Sequence, residues 1–348
     1  MQLPESLHRF YTGKIVSFFP IRYIKRKTKI YFSVELRKDN GSAPAVHKAG
    51  KLRTVPREEG AMVRKLVKLP VIGEDEVLYH YTKLNGIQGI ILERCMRATK
   101  SSFLNDTNEM YYILHVIRDV IGKIECPEWK ELLTSQVLDT VLEMDRSSYY
   151  IVSFSTEPDS ITLWAEFGDH TGYNIGFESG SLLKIMDTRQ VVSYHGYVIY
   201  DRKEQEEMLR ELLFERIPAA LGISFEAMMS VAVAEPESDM FLKVKKLIQK
   251  ALGIYALFFK QEEFAAEKEY RIAFKERGNS RILFREKEGF LAPYIAIDLS
   301  GGKKKLPIRS ITVAPKNHID LAREGMKEYL HSHGYEVDVE LSRIKLRY

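Results

Sequence analysis

Cysteine is scarce in this chain, and long apolar runs are missing. Cys95 and Cys126 are the two cysteines among 348 residues, too few for a disulfide framework and without the C-x-x-C spacing of a zinc site. Both read as small apolar residues, and a reducing, cytoplasmic setting is the expectation. No apolar stretch reaches the roughly 18 residues that a membrane span needs. The opening MQLPESLHRFYTGK lacks an apolar run behind a basic start, so no secretory signal and no membrane contact are expected. The loops G-x-G-x-x-G and G-x-x-x-x-G-K-[ST] are absent, as are H-E-x-x-H and G-x-S-x-G. P-loop, Rossmann, zincin and α/β-hydrolase chemistries are therefore disfavoured.

What is present is an ordinary globular composition, 45% apolar and 29% charged. Its net charge of +4 conceals a division. Residues 1–70 carry 16 Lys/Arg against 5 Asp/Glu, whereas the remainder carries 36 against 43. The first segment alternates loosely from Lys14 to Leu36, which predicts two strands around Lys25, Arg26 and Lys27. It then passes into DNGSAPAVHKAGK, a loop or linker. Residues 1–76 thus read as a basic extension, either a solvated arm or a contact for nucleic acid or another acidic partner.

From Val77 the pattern changes, and residues 77–348 read as one domain. VLYHYT is β-rich, and LNGIQGIILERC follows with Leu84, Ile87, Ile90 and Ile91 on a helical face. A strand and turn at MRATKSSFLND precede a helix striped by Met110, Ile113, Leu114, Ile117 and Ile121, capped by Asn105 or Asp106 with Glu109 behind. EWKELLTSQVLDTVLEM predicts a second helix. YYIVSFS reads as a buried strand, and DSITLWAEFG as a short helix capped by Asp159 or Ser160, with Trp164 and Phe167 in the core. GYNIGFE and VVSYHGYVIY are strands, and residues 204–260 are helical. EKEYRIAF, YIAIDL, IRSITVAP and EVDVELSRIKL are strands, with an amphipathic helix at IDLAREGMKEYLHSHGY. Helices and strands mix without a βαβ period, so the class is α+β.

Three segments carry candidate chemistry. His80 in LYHYT faces opposite to Tyr79 and Tyr81; its plainer reading is a hydrogen-bonded strand residue. Ser153 and Ser155 share one face of a strand that otherwise reads as buried, so their hydroxyls need partners. Glu267 and Glu269 fall on one face of a strand start, with Arg271 next along it. Paired carboxylates there suit proton transfer or stabilisation of positive charge, and they also suit plain cross-strand ion pairs. A divalent ion held by Asp106, Glu109, Glu267 and Glu269 would make a nuclease or phosphohydrolase, although the spacing is not diagnostic. A non-catalytic sensor with a basic nucleic-acid-binding arm is the remaining class.

Taken together, LYHYT with GIQGII, FLND, VSFS through DSITLWAEFGD to GYNIGF, FFK with EKEYRI, IRSITVAPK and the closing Ser342-to-Arg347 pattern resemble the bacterial domain-of-unknown-function family 2971. The likeness spans residues 77–348. The order His, Ser-x-Ser, Glu-x-Glu in turn resembles the ADP-ribosyltransferase fold, which binds NAD across a split of two small packed sheets with flanking helices. That resemblance implies NAD as substrate, no metal, and a macromolecular acceptor. It implies that His80, supported by Tyr81 and Thr82, holds the nicotinamide ribose end, with Ser153 and Ser155 beneath it. Tyr173 would stack on nicotinamide, Arg271 would contact the cofactor, and Glu269, or else Glu267, would be the catalytic carboxylate.

Overall fold

The structure is a computed structural model describing residues 22–26, 29–33, 57–104, 109–138, 149–169, 171–190, 192–276, 281–287, 289–300, 305–315 and 319–345. The chain divides into two units, residues 1–57 and 58–348. In the first, β1 (Arg22–Arg26) and β2 (Lys29–Ser33) pair antiparallel, as the alternation predicts.

The second unit begins earlier than Val77. Helix α1 (Arg57–Leu66) buries Val63 and Leu66, with Val67 just beyond it, in the main core. Arg216 donates to the Leu66 carbonyl at 2.7 Å, which ties this segment to the helical layer. The basic composition of residues 57–70 hides that apolar spacing.

Ten strands of this unit form one mostly antiparallel sheet. In chain order they start with β3 (Val77–Thr82), β4 (Cys95–Lys100), β5 (Tyr149–Ser155), β6 (Tyr173–Glu178) and β7 (Tyr194–Tyr197). They continue with β8 (Glu269–Lys275), β9 (Leu283–Lys287), β10 (Phe290–Asp298), β11 (Ile308–Val313) and β12 (Asp338–Leu341). The expected pair of separate small sheets is replaced by a single hydrogen-bonded sheet with a fork. On one edge β5 pairs with β8 along its whole length, from Tyr149 opposite Lys275 to Ser155 opposite Glu269. On its other edge it changes partner. Tyr150 and Ile151 lie opposite Lys100 and Thr99 of β4, whereas Ser155 lies opposite Tyr79 of β3. One arm runs on through β6, β11 and β12, the other through β10 and β9.

Strands β5 and β8 are covered on both faces, which accounts for the near-continuous apolar run YYIVSF. Tyr150, Val152, Phe154, Tyr270, Ile272 and Phe274 enter one core, completed by α2 (Leu84–Glu93), α6 (Ser179–Gln190) and α11 (Ile319–Ser332). Ile87, Ile90 and Ile91 of α2 are buried as predicted, but Leu84 is exposed.

On the other face Ile151 and Ala273 meet a helical layer. Its parts are α3 (Glu109–Gly122), α4 (Pro127–Leu133), α7 (Arg202–Glu211), α8 (Ile217–Leu221), α9 (Phe225–Ala234) and α10 (Asp239–Tyr255). The stripe Ile113, Leu114, Ile117 and Ile121 of α3 is buried in it. Asn105, Asp106 and Arg347 lie outside the described residues, as does the end of the helix predicted after Trp129. No single described helix is long and apolar enough to cross a membrane.

Candidate functional site

Along the helical face of β5 and β8 the side chains change character. Ile151 and Ala273 are core, but the next pairs are Ser153 with Arg271 and Ser155 with Glu269. Here the helical layer gives way to α5 (Ile161–Gly168), and a cleft of about 820 Å³ opens at the fork. That volume falls within the roughly 300–1,000 Å³ of small-ligand sites. A second hollow, about 410 Å³ beside α4, is lined by Glu125, Pro127, Lys130, Glu131, Thr134 and Ser135 and gathers no buried polar groups.

Glu269 is buried, and its two oxygens accept from Nε and Nη2 of Arg271, each at 2.8 Å. Nη1 of Arg271 donates to the Leu257 carbonyl. Burial disfavours charge on Glu269, but Arg271, Lys260 and the Ser153 hydroxyl together outweigh it and hold the carboxyl below its ordinary value.

Glu267 is not on the strand. It closes a 3₁₀ turn (Glu262–Glu267), and Lys268 then adopts a left-handed φ of 44° before β8 begins. That conformation is uncommon for a residue with a Cβ, and it leads the chain from one buried carboxylate to the next. Lys260, itself buried, donates to both oxygens of Glu267 at 2.9 and 2.7 Å, and its Nζ lies 3.9 Å from Glu269. Burial and the neighbouring Glu269 charge push the Glu267 carboxyl up to about 7, against the pull of Lys260. One carboxylate is thus held ionised while its neighbour titrates near neutrality, a division that separates electrostatic and proton-transfer roles.

His80 also lines the cleft, by an indirect route. Tyr79 lies opposite Ser155, so Tyr79 and Tyr81 share the serine face and His80 points to the other. There its ring meets Phe154 edge-on at 5.7 Å. Because the β3/β4 edge of β5 is open at Ser153, His80 Nδ1 reaches the Ser153 carbonyl at 3.1 Å. Burial lowers the His80 imidazole to about 4, so it is neutral near pH 7. A neutral ring that donates Nδ1–H to a carbonyl leaves Nε2 as an acceptor.

The remaining predicted residues divide. Ser153 reaches Glu269, but Ser155 donates to the Glu267 carbonyl at 2.7 Å and accepts from Glu157 N, bracing the turn. Tyr81 packs on Trp164, donates to the Glu157 carbonyl and accepts from Ser160 N. Thr82 lines the cleft under α2. Tyr173 sits in the core among Leu78, Phe177 and Val313 and is not part of the cleft lining, so the stacking role implied for it finds no place there. Ser160 caps α5, as predicted, while Asp159 accepts from Trp164 Nε1, Ser342 Oγ and Arg343 N. Trp164 is core as expected, but Phe167 is half-buried and faces the cleft.

Lys260, Phe264, Glu166, Arg97, Thr99 and Arg285 also line the cleft, and the motif reading gives none of them a role in a site, although its segments FFK and DSITLWAEFGD contain Lys260 and Glu166. The short apolar run ILF before Arg285, bounded by charged residues, is the weak strand signal that could have found that residue. The carboxylates Glu267 and Glu269 are met by ammonium and guanidinium groups, and among the described residues no three metal-ligating side chains cluster.

Residues 163–272 match the model of a family described as protein of unknown function (DUF2971). The matched segment runs from α5 into β8 and so holds Lys260, Glu267, Glu269 and Arg271. His80, Ser153 and Arg285 lie outside it. No curated protein and no solved structure matches the chain.

Proposed function

We propose that the cleft binds NAD and that the protein transfers its ADP-ribosyl group to a macromolecular acceptor. The observation that carries this reading is the meeting of Glu267 and Glu269, with opposed proton affinities, beside Ser153 and His80 at the fork of the sheet. The two arms of the single sheet diverge around the cleft and stay joined through β5, so the reading rests on the side chains gathered there and not on a pair of separate packed sheets.

The chemistry assigns each group a task. A carboxylate has about four lone-pair sites, so Glu269 retains acceptor capacity beyond its bonds to Arg271. It accepts from a ribose hydroxyl and stabilises the positive charge that grows on the sugar as the glycosidic C–N bond breaks and neutral nicotinamide departs. His80 Nε2 accepts from another ribose hydroxyl. Glu267 takes the proton from the acceptor nucleophile as its bond to the sugar forms.

The basic first 70 residues supply a contact to nucleic acid or an acidic protein in this reading, and electrostatic binding of that kind weakens steeply with salt. Incubation with labelled NAD and cell lysate tests the whole: label transfer or nicotinamide release, lost in Glu269→Gln, supports it, and neither product from wild type overturns it. Because Lys260 and Arg271 already neutralise both carboxylates, a nucleotide sensor is the second reading; it predicts NAD binding without nicotinamide release.

A further inference from the structure

The cleft has a second polar end that the carboxylates do not serve. Thr99 of β4 lies opposite Ile151, and Tyr294 of β10 lies opposite Thr99, so both share the Ser153 face. Arg285 of β9, opposite Ala292, shares it too. Its Nη2 donates to Thr99 Oγ1 at 2.9 Å. Its Nε is buried and meets no acceptor, and no carboxylate pairs with it among the described residues. Arg97, on the same face, stacks over Tyr294 at 5.4 Å and reaches its nearest acid, Glu93, at 3.8 Å. The fields of Arg97 and Arg285 oppose each other, and that of Arg285 extends to His80.

Half-buried guanidinium without a counter-charge is costly. Arg285 is such a group and carries an unsatisfied buried donor, while the exposed Arg97 beside it shares Glu93, so the complement of this end of the cleft is an anion. The forked donors of Arg match phosphate in particular. The level of Thr99 on β5 is four residues from that of Ser155 and Glu269, roughly 13 Å of strand, so an extended ligand is needed to touch both ends.

We infer that Arg285, with Thr99 and Arg97, forms a phosphate-binding subsite in the β4–β10–β9 arm of the cleft. A dinucleotide places its pyrophosphate there and directs its glycosidic bond toward Glu269. The subsite stands on its own contacts; the direction of the dinucleotide rests on the reading given under Proposed function.

The test is calorimetric titration of the full chain with ADP, ADP-ribose and adenosine, using wild type, Arg285→Gln and Arg285→Lys. Wild type binds ADP and ADP-ribose, and adenosine, lacking phosphate, binds about tenfold or more weakly. Arg285→Gln loses about tenfold or more for the two phosphate ligands, and Arg285→Lys recovers part of that loss. Thermal melting of Arg285→Gln at or above the wild-type temperature separates lost recognition from lost folding, since the substitution removes an unpaired charge. Equal ADP affinity in wild type and Arg285→Gln overturns the subsite, as does no ADP binding by wild type. Nicotinamide release from NAD is measured in parallel. Arg285-dependent ADP binding without release sinks only the transferase, while release with a KM indifferent to Arg285 sinks only the subsite.

Discussion

Glu267 and Glu269 lie against one ammonium group: Lys260 Nζ is 2.7 Å from the first and 3.9 Å from the second. A shared cation so placed sets which of the two keeps its proton, and its removal has a defined sign. Lys260→Met takes away the charge that lowers Glu267, so that carboxyl titrates higher than its present value of about 7. If Glu267 acts as the base, the rising limb of kcat/KM against pH moves to higher pH in this variant. An unmoved limb removes Glu267 from proton transfer.

The Glu269–Arg271 pair has a structural cost attached to its test. Glu269→Gln should lower nicotinamide release by on the order of 10²–10³. It should also destabilise the fold, because Arg271 is buried and loses its charged partner; breaking such pairs costs about 3–5 kcal/mol. Ser153→Ala is the companion, removing one donor to Glu269 without stranding a charge. Loss of release in Glu269→Gln with Ser153→Ala unaffected, in protein that has partly melted, would assign the pair to folding alone.

His80 links stability to acid. Its folded value near 4 lies below the unfolded value near 6.5. Between those values the unfolded chain binds more protons, so the contribution is fully present above about pH 6.5 and lost as pH falls through about 4. It amounts to at most about 3 kcal/mol, less because the ring keeps some surface open to the cleft. Glu267 acts in the opposite sense: raised to about 7, its contribution is present below about pH 4.5 and lost as pH rises through 7. Denaturant unfolding across this range should show a flatter acid limb in His80→Gln than in wild type.

Gly86 in α2 leaves no room for a side chain. A Cβ there would stand 2.0 Å from Thr82 Oγ1. Gly86→Ala must displace α2 or turn the β-branched Thr82, at a cost of about 1–3 kcal/mol that exceeds the gain in helix propensity. A melting temperature equal to or above wild type would show that Thr82 yields freely.

Periodicity alone determined the α+β class, most of the elements and the apolar stripes of α2 and α3, because those depend on neighbours three or four residues away. It also placed His80, Ser153, Glu267 and Glu269 among the residues worth naming. It missed the apolar purpose of α1 inside a basic segment, the helix α6, and β9 with Arg285. What tertiary structure decided is the site itself. The fork at β5 leaves the Ser153 carbonyl free for His80, which points to the opposite face from the serines, and the left-handed turn at Lys268 sets Glu267 off the strand. Lys260, nine residues before Glu269, and Arg285, sixteen after it, enter only when β10 closes on β4 and the segment after α10 folds back to β8. Charge neutralisation is a matter of distance in space, and no spacing rule along the chain encodes it.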